Sequence, residues 1–209
     1  MKIKNLIKSY KSNGIQEVLH KIISKIYLKE YLYKVEITNG YSYTNNKFRL
    51  SELNLQILNE MMSNYPGEID ECKYNILKER LKKPDENTYV VFENEEICGY
   101  FNIAYKDTKE SCANVIINIS KDSIYLYDDY TFIKHRGKGV HKFSILSRIN
   151  MGINKKKKYA YVAIVFENII SEKSYEKFSF KKVKKYHCFK IGKIKKTFEK
   201  GDKNEHFYL

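Results

Sequence analysis

Residues 15 to 32, IQEVLHKIISKIYLKEYL, place Ile15, Val18, Leu19, Ile22, Ile23 and Ile26 at helical spacing, with Lys21, Lys25 and Lys29 falling mainly between them. The pattern predicts a basic amphipathic helix ahead of a β-rich region. Turn residues at Asn39-Gly40 and Asn45-Asn46 are followed by a short strand around Lys47 to Leu50. SELNLQILNEMMSNYP opens on a serine suited to cap a helix and stops before Pro66, and EIDECKYNILKERLKK predicts a second helix ending before Pro84. TYVVFENEEICGYFNIAY is a hairpin, two β-rich runs flanking the polar connection Glu93-Asn94-Glu95-Glu96. NVIINIS and SIYLYDDYTFI supply further strands. A helix over 140–153 carries Val140, Phe143, Leu146, Ile149 and Ile153 broadly on one side, with Lys155 to Lys158 at its C-terminal end, where cations complement the macrodipole. YAYVAIVF is a buried strand, SEKSYEKF a helix and YHCFKI a last strand. This order predicts an α/β domain around a mixed sheet.

One connection carries chemistry. Arg136-Gly137-Lys138-Gly139 lies directly between a strand and a helix, so several backbone N–H groups converge beside the positive end of the helix dipole. The glycines let a ligand approach with no Cβ in the way. The dinucleotide fingerprint fails at Lys142, where glycine is required, and the P-loop pattern is absent. A pyrophosphate cradle and a solvated basic turn both remain open on these residues alone.

Charge changes the picture only moderately. A net charge of +14 invites an anionic partner, but arginine is scarce beside lysine, and Ile, Asn and Tyr are abundant, so an AT-rich coding sequence accounts for much of the lysine. A general nucleic-acid role is therefore not expected. The basic helix packs on the domain, on a second subunit as in a homodimer, or on an anionic membrane through residues 1–34; all three require one apolar stripe. Cys72, Cys98, Cys112 and Cys188 are far apart and show no CxxC or Cys/His ligand spacing, so no metal site is expected. The N-terminus lacks the apolar stretch of a secretory signal, and the longest apolar run is far shorter than a membrane span of roughly 20 residues. The expected location is cytoplasmic, with membrane-peripheral attachment open.

A second segment decides between the readings of the loop. Asn168, Ser171, Tyr175 and Phe180 form N-x-x-S-x-x-x-Y-x-x-x-x-F just after a strand. Together with HRGKGV, this resembles the GNAT superfamily of acyl-CoA-dependent N-acetyltransferases, over roughly residues 47 to 192. The resemblance implies a mixed, mostly antiparallel central sheet flanked by helices, with residues 1–40 as a helical extension and 41–209 as the acetyltransferase-like domain. It implies acetyl-CoA as cosubstrate, with the amides of Arg136, Gly137, Lys138, Gly139, Val140 and His141 around the pyrophosphate. The strand Asp129-Tyr130-Thr131 would pair with the pantetheine arm, and Asn168 and Ser171 would contact it. Two positions depart from the family pattern: His141, where a small residue is usual, and Ser179, where glycine is usual.

Tyr175 matches the tyrosine that protonates the leaving thiolate in many relatives, a task suited to a phenol of pKa about 10. Asp128 and Asp129 are candidates for the base that accepts the ammonium proton, their side chains pointing to opposite faces by strand alternation. His135, His141 and His187 titrate near neutrality as a residue type, but no partner for them can be identified in the sequence. The expected reaction is direct acetyl transfer to a small primary amine. The basic extension and the DDYTFIKHRGKGVH loop are similar to acetyltransferases of surface-polysaccharide pathways, which implies an amino group on a nucleotide-linked sugar. A protein or peptide amine is the alternative acceptor. From another class comes a catalytically silent GNAT-fold module, attached to membrane or RNA by its basic segments.

Overall fold

The computed structural model describes residues 25–38, 47–192 and 194–201, together with Gln16 and Ile23. Within them ten strands and four helices follow in the order β1 (Tyr27–Glu36), β2 (Arg49–Glu52), α1 (Leu55–Asn64), α2 (Glu71–Arg80), β3 (Glu86–Glu93), β4 (Glu96–Ala104), β5 (Thr108–Glu110), β6 (Val115–Ile117), β7 (Ser123–Thr131), α3 (Val140–Asn154), β8 (Tyr159–Val165), α4 (Ile169–Glu176), β9 (Lys181–Ile191) and β10 (Ile194–Gly201). Eight strands form one sheet in the order β10-β9-β1-β8-β7-β4-β3-β2, and β5 with β6 forms a separate ribbon. Every pairing in the large sheet is antiparallel except β7 with β8.

The largest departure from the sequence reading is β1. Helical spacing predicts helix through residue 32, yet Tyr27–Glu36 is a strand paired to β8 on one side and β9 on the other. Lys25 and Ile26 are helical, as are Gln16 and Ile23; the remainder of the predicted helix, and the turns at 39–40 and 45–46, lie outside the described residues. A short apolar run fits either period, and Tyr27, Tyr31, Tyr33 and Val35 favour strands. Two long-range pairings then override local spacing. Leu32 packs on one face of the sheet with Tyr125 and Tyr186, Tyr33 and Val35 on the other with Ile145 and Ile164. The predicted extension thus contributes a central strand to the sheet.

Smaller shifts have local causes. Ser51 and Glu52 belong to β2, opposite Val90 and Tyr89. The cap of α1 is Asn54, whose Oδ1 accepts the Ile57 N–H at 2.8 Å. Asp70 caps α2 in the same way, accepting from the Lys73 N–H at 2.7 Å. The hairpin turn uses Asn94 and Glu95, both at positive φ (49° and 65°), the backbone that two-residue hairpins require. β10, IKKTFEKG, escapes the apolar pattern because it is a lysine-rich edge strand, a composition that discourages edge-to-edge association.

Helices α1 and α2 cover one face through Leu58, Met61 and Leu77, packed on Val90 and Tyr100. Helix α3 covers the other through Ile145 and Ile149, packed on Ile103, Ile124 and Leu126. Along α3 a buried column runs Ser144, Arg148, Gly152, a polar and small-residue seam that the apolar stripe did not reveal.

The sheet is irregular where β4 meets β7. Tyr100 pairs with Tyr130 and Asn102 with Tyr127, so Asp128 and Asp129 together oppose Phe101 alone. This bulge sets Asp128 at φ 47°. The strands approach closely beside it: a Cβ on Gly99 would lie 2.3 Å from the Tyr130 carbonyl oxygen and 3.0 Å from the Thr131 Cα. Gly99→Ala is therefore expected to cost about 3 kcal/mol, the upper end of overpacking changes. Thermal unfolding should show the midpoint lowered by about 6–12 °C.

Candidate active site

The parallel pairing of β7 with β8 runs from Ser123 with Tyr159 to Leu126 with Val162 and then stops. Tyr127 to Thr131 continue as strand, as do Ala163 to Val165, so two parallel strands diverge toward their carboxyl ends and leave a wedge between them. In open α/β sheets such crevices are where ligands bind. β7 leads out of the wedge into a 3₁₀ turn, Ile133–His135, and then into the glycine loop; β8 leads into α4.

The loop is shaped as its glycines suggest. Gly137 (φ 76°) and Gly139 (φ 92°) occupy the left-handed region, and Gly139 is the N-cap of α3. The first backbone bond of that helix runs from the Phe143 N–H to the Gly139 carbonyl. By helix geometry the Val140 and His141 N–H groups have no carbonyl to meet within the helix, and a glycine cap offers no side-chain oxygen. Arg136 folds back, its Nε donating to the Thr131 carbonyl at 3.1 Å with its guanidinium over the Tyr130 ring. Lys138 is exposed on the loop.

The two aspartates diverge. Asp128 accepts from Lys73 Nζ at 3.0 Å and Arg80 Nη1 at 2.5 Å, both on α2. Both of its carboxylate oxygens are thus engaged by cations of α2. Asp129 is directed instead to α3 and α4. Its Oδ1 accepts from Arg148 Nη1 at 2.6 Å, and its Oδ2 from Arg148 Nη2 at 2.7 Å and from the Tyr175 hydroxyl at 2.6 Å. Burial pushes the Asp129 pKa up, but Arg148 and His141 outweigh it and leave the group at about 2. It is a fixed anion at neutral pH. Tyr175 is 1% exposed, and burial with the Asp129 charge raises its phenol well above the ordinary value.

His141 gains the partner that sequence alone could not provide. Its Nε2 lies 3.3 Å from Asp129 Oδ2, its ring meets Tyr175 edge-on at 5.4 Å and lies parallel to Phe101 at 6.3 Å. The bulk at this position is thus taken up between β4 and α4, not within the helix packing. Because ionised Asp129 only accepts, the Nε2 that faces it carries a proton. His135 and His187 lie apart from this group: His135 is buried behind the 3₁₀ turn, and His187 bonds Tyr27 on the far side of β1.

Asn168 is the cap of α4, its Oδ1 accepting the Ser171 N–H at 3.2 Å; both residues sit at the mouth of the wedge, following β8. Ser179 adopts φ 63°, which explains why glycine suits that position in the family the sequence resembles. The residue that sequence reasoning missed is Arg148, wholly buried and also bonded to the Asn102 carbonyl at 2.8 Å. Its signal was a cation flanked by Ile145, Leu146 and Ile149, four residues from Ser144.

Comparison with known proteins places the fold. No family model matches the chain, and no curated protein matches it in sequence. Among solved structures, a conserved protein from Staphylococcus epidermidis ATCC 12228, described as functionally unknown, superposes with a TM-score of 0.56 at 14% identity, over 84% of this chain and 68% of that one. A protein of the GNAT family from Novosphingobium aromaticivorans DSM 12444 superposes with a TM-score of 0.51 at 11% identity, over 77% of this chain and 62% of that one. This chain has the GNAT fold. AAC(6')-Iy, solved with the bisubstrate analogue CoA-S-monomethyl-acetylneamine, shares that GNAT architecture at a TM-score of 0.50 and 17% identity, over 64% of this chain and 90% of that one. The mostly antiparallel sheet flanked by helices is as the sequence resemblance implies. Among the described residues no helix is long and apolar enough to cross a membrane.

Two measurements check the buried cluster. Arg148→Met strands the Asp129 charge and should cost about 3–5 kcal/mol in denaturant unfolding, and Arg148→Met with Asp129→Leu should recover most of it. The folded Asp129 pKa of about 2 lies below the ordinary 3.8. Its stabilising contribution is therefore present above the ordinary value and lost as pH falls from 3.8 toward 2. Acid titration of stability should lose that component in the double variant.

Proposed function

We propose that the chain is an acetyl-CoA-dependent N-acetyltransferase that moves the acetyl group directly to a primary amine in a ternary complex. The observation that carries this reading is the wedge between β7 and β8, with the glycine loop at its rim and Tyr175 against its inner edge. The backbone of Asp129, Tyr130 and Thr131 along the open side of β7 suits the amides of a pantetheine arm. The converging amides of residues 137–141 suit the pyrophosphate.

In the proposed reaction the amine nitrogen attacks the thioester carbonyl carbon; the C–N bond forms, the C–S bond breaks and the thiolate leaves. Tyr175, once its hydroxyl turns from Asp129, gives its proton to the thiolate and is reprotonated from the amine. His141 Nδ1 accepts the ammonium proton that must be lost before attack and passes it to solvent. Asp129, held ionised by Arg148, takes no proton; it orients the Tyr175 hydroxyl and the His141 ring. This assigns the base to His141 in place of Asp128 or Asp129. The acceptor we favour is an amine on an anionic carrier, as in a nucleotide-linked amino sugar. The exposed Lys138 beside the positive end of α3 supports that choice.

Calorimetric titration with acetyl-CoA tests the cradle: the parent should bind and Gly139→Glu, checked for folding by circular dichroism, should not. Tyr175→Phe should lower turnover by roughly 10² to 10⁴-fold with cofactor affinity retained; unchanged turnover removes it from the acid role. His141→Gln should lower turnover by roughly 10² to 10⁴-fold with acetyl-CoA affinity retained. Unchanged turnover would return the base to water or another group.

A further inference from the structure

Outside the wedge, a second group of ligating side chains lies behind the glycine loop. Glu93 ends β3, Cys98 belongs to β4, and His135 closes the 3₁₀ turn immediately before Arg136. One carboxylate oxygen, the Cys98 Sγ and one ring nitrogen lie within 4.8 Å of one another. The juxtaposition is built by the fold. Val91 pairs with Gly99 and Phe92 with Ile97, so Cys98 is the extra residue of a β-bulge, and bulges redirect side chains. The Cys98 carbonyl then accepts the Phe132 N–H at 3.0 Å, which ties the bulge to the turn carrying His135.

The anomaly is His135. It is 1% exposed, and neither ring nitrogen has a hydrogen-bond partner. Leaving buried polar atoms unpartnered costs about 1–3 kcal/mol. A histidine ring nitrogen with no partner in the protein is available as a ligand atom. Its Nε2 is 3.6 Å from Glu96 Oε2, close enough for a fourth oxygen to join.

We propose that Glu93, Cys98 and His135 bind a zinc ion, with Glu96 or water as fourth ligand. A donor triangle no wider than 4.8 Å has its centre about 2.8 Å from each donor, and zinc bonds are about 2.0–2.3 Å long. Closure onto an ion in the donor plane therefore asks each side chain to move by up to about 0.8 Å. A thiolate, an imidazole and a carboxylate select zinc over magnesium, which takes oxygen donors. The ion would staple the β3–β4 hairpin to the turn that opens the glycine loop, a structural task apart from the proposed transfer chemistry. Glu93, Cys98 and His135 follow no local ligand spacing, so they escape a reading of the sequence.

The test uses the full chain, stripped of metal and titrated with Zn²⁺ and, separately, Mg²⁺ in competition with a chromophoric chelator. One equivalent of zinc should bind with submicromolar affinity and raise the thermal midpoint, and magnesium should not. Replacement with Co²⁺ should give a near-ultraviolet thiolate-to-cobalt band that disappears in Cys98→Ala. His135→Phe should weaken zinc by more than the about 10–100-fold that outer-shell changes cost. Because both positions are core, Glu93→Gln at a half-buried position provides a further variant, expected to keep the fold and weaken zinc. Cys112→Ala, which alters the separate Glu30, Glu110 and Cys112 group, should leave the equivalent in place. No zinc binding above magnesium, or a cobalt band that survives Cys98→Ala, would overturn the proposal.

Discussion

The buried pair of Asp129 and Arg148 joins four parts of the molecule at one point. Asp129 comes from the bulged half of β7, Arg148 from the middle of α3, Tyr175 from α4, and the Asn102 carbonyl from β4. A guanidinium at 0% exposure cannot be left without its anion. The bulge must therefore deliver Asp129 to the α3 face while Asp128 is clamped by α2. This requirement fixes the carboxyl-terminal half of β7 where it cannot continue alongside β8, and the wedge follows. Geometry demanded for satisfying a buried charge and geometry demanded for admitting a ligand are here the same geometry.

The positive charge is put to several uses, and only a few of them face the wedge. Lys73 and Arg80 are spent on Asp128, Lys182 on Glu172 and Lys184 on Glu199. Lys29 lies 3.3 Å from the Phe166 ring centroid, a contact that keeps an exposed aromatic covered. The β10 edge carries lysines that protect it from pairing with another chain. Around the glycine loop, Arg136 and Lys138 are exposed and add to a field already positive from the helix dipole. The net charge is thus mostly structural, with a local excess at the loop.

Much of this arrangement was legible in the chain because its signals are local. Gly137 and Gly139 mark a strand-to-helix turn by backbone necessity. Asn94-Glu95 between alternating apolar runs reads as a hairpin, and Tyr175 with Asn168 and Ser171 fixes a helix start after a buried strand. These features depend on residues within a few positions of one another. Helix limits shifted by a few residues, from Ser51 to the true cap at Asn54, because two polar residues could cap and strand pairing claimed the first.

What only tertiary structure decided involves partners distant in sequence. Tyr27–Glu36 fits a helix by spacing and becomes a strand because β8 and β9, more than 120 residues away, offer it two edges. Asp128 and Asp129 are equivalent neighbours in the sequence; two-against-one pairing with Phe101 gives them opposite fates. His141 acquires a partner across 12 residues and His135 is buried with neither ring nitrogen hydrogen-bonded, outcomes set by how a turn packs on a bulge. Periodicity and turn chemistry are properties of short segments and survive in the sequence. The charge state of a buried group depends on which segments meet, and that is decided only when the sheet closes over the helices.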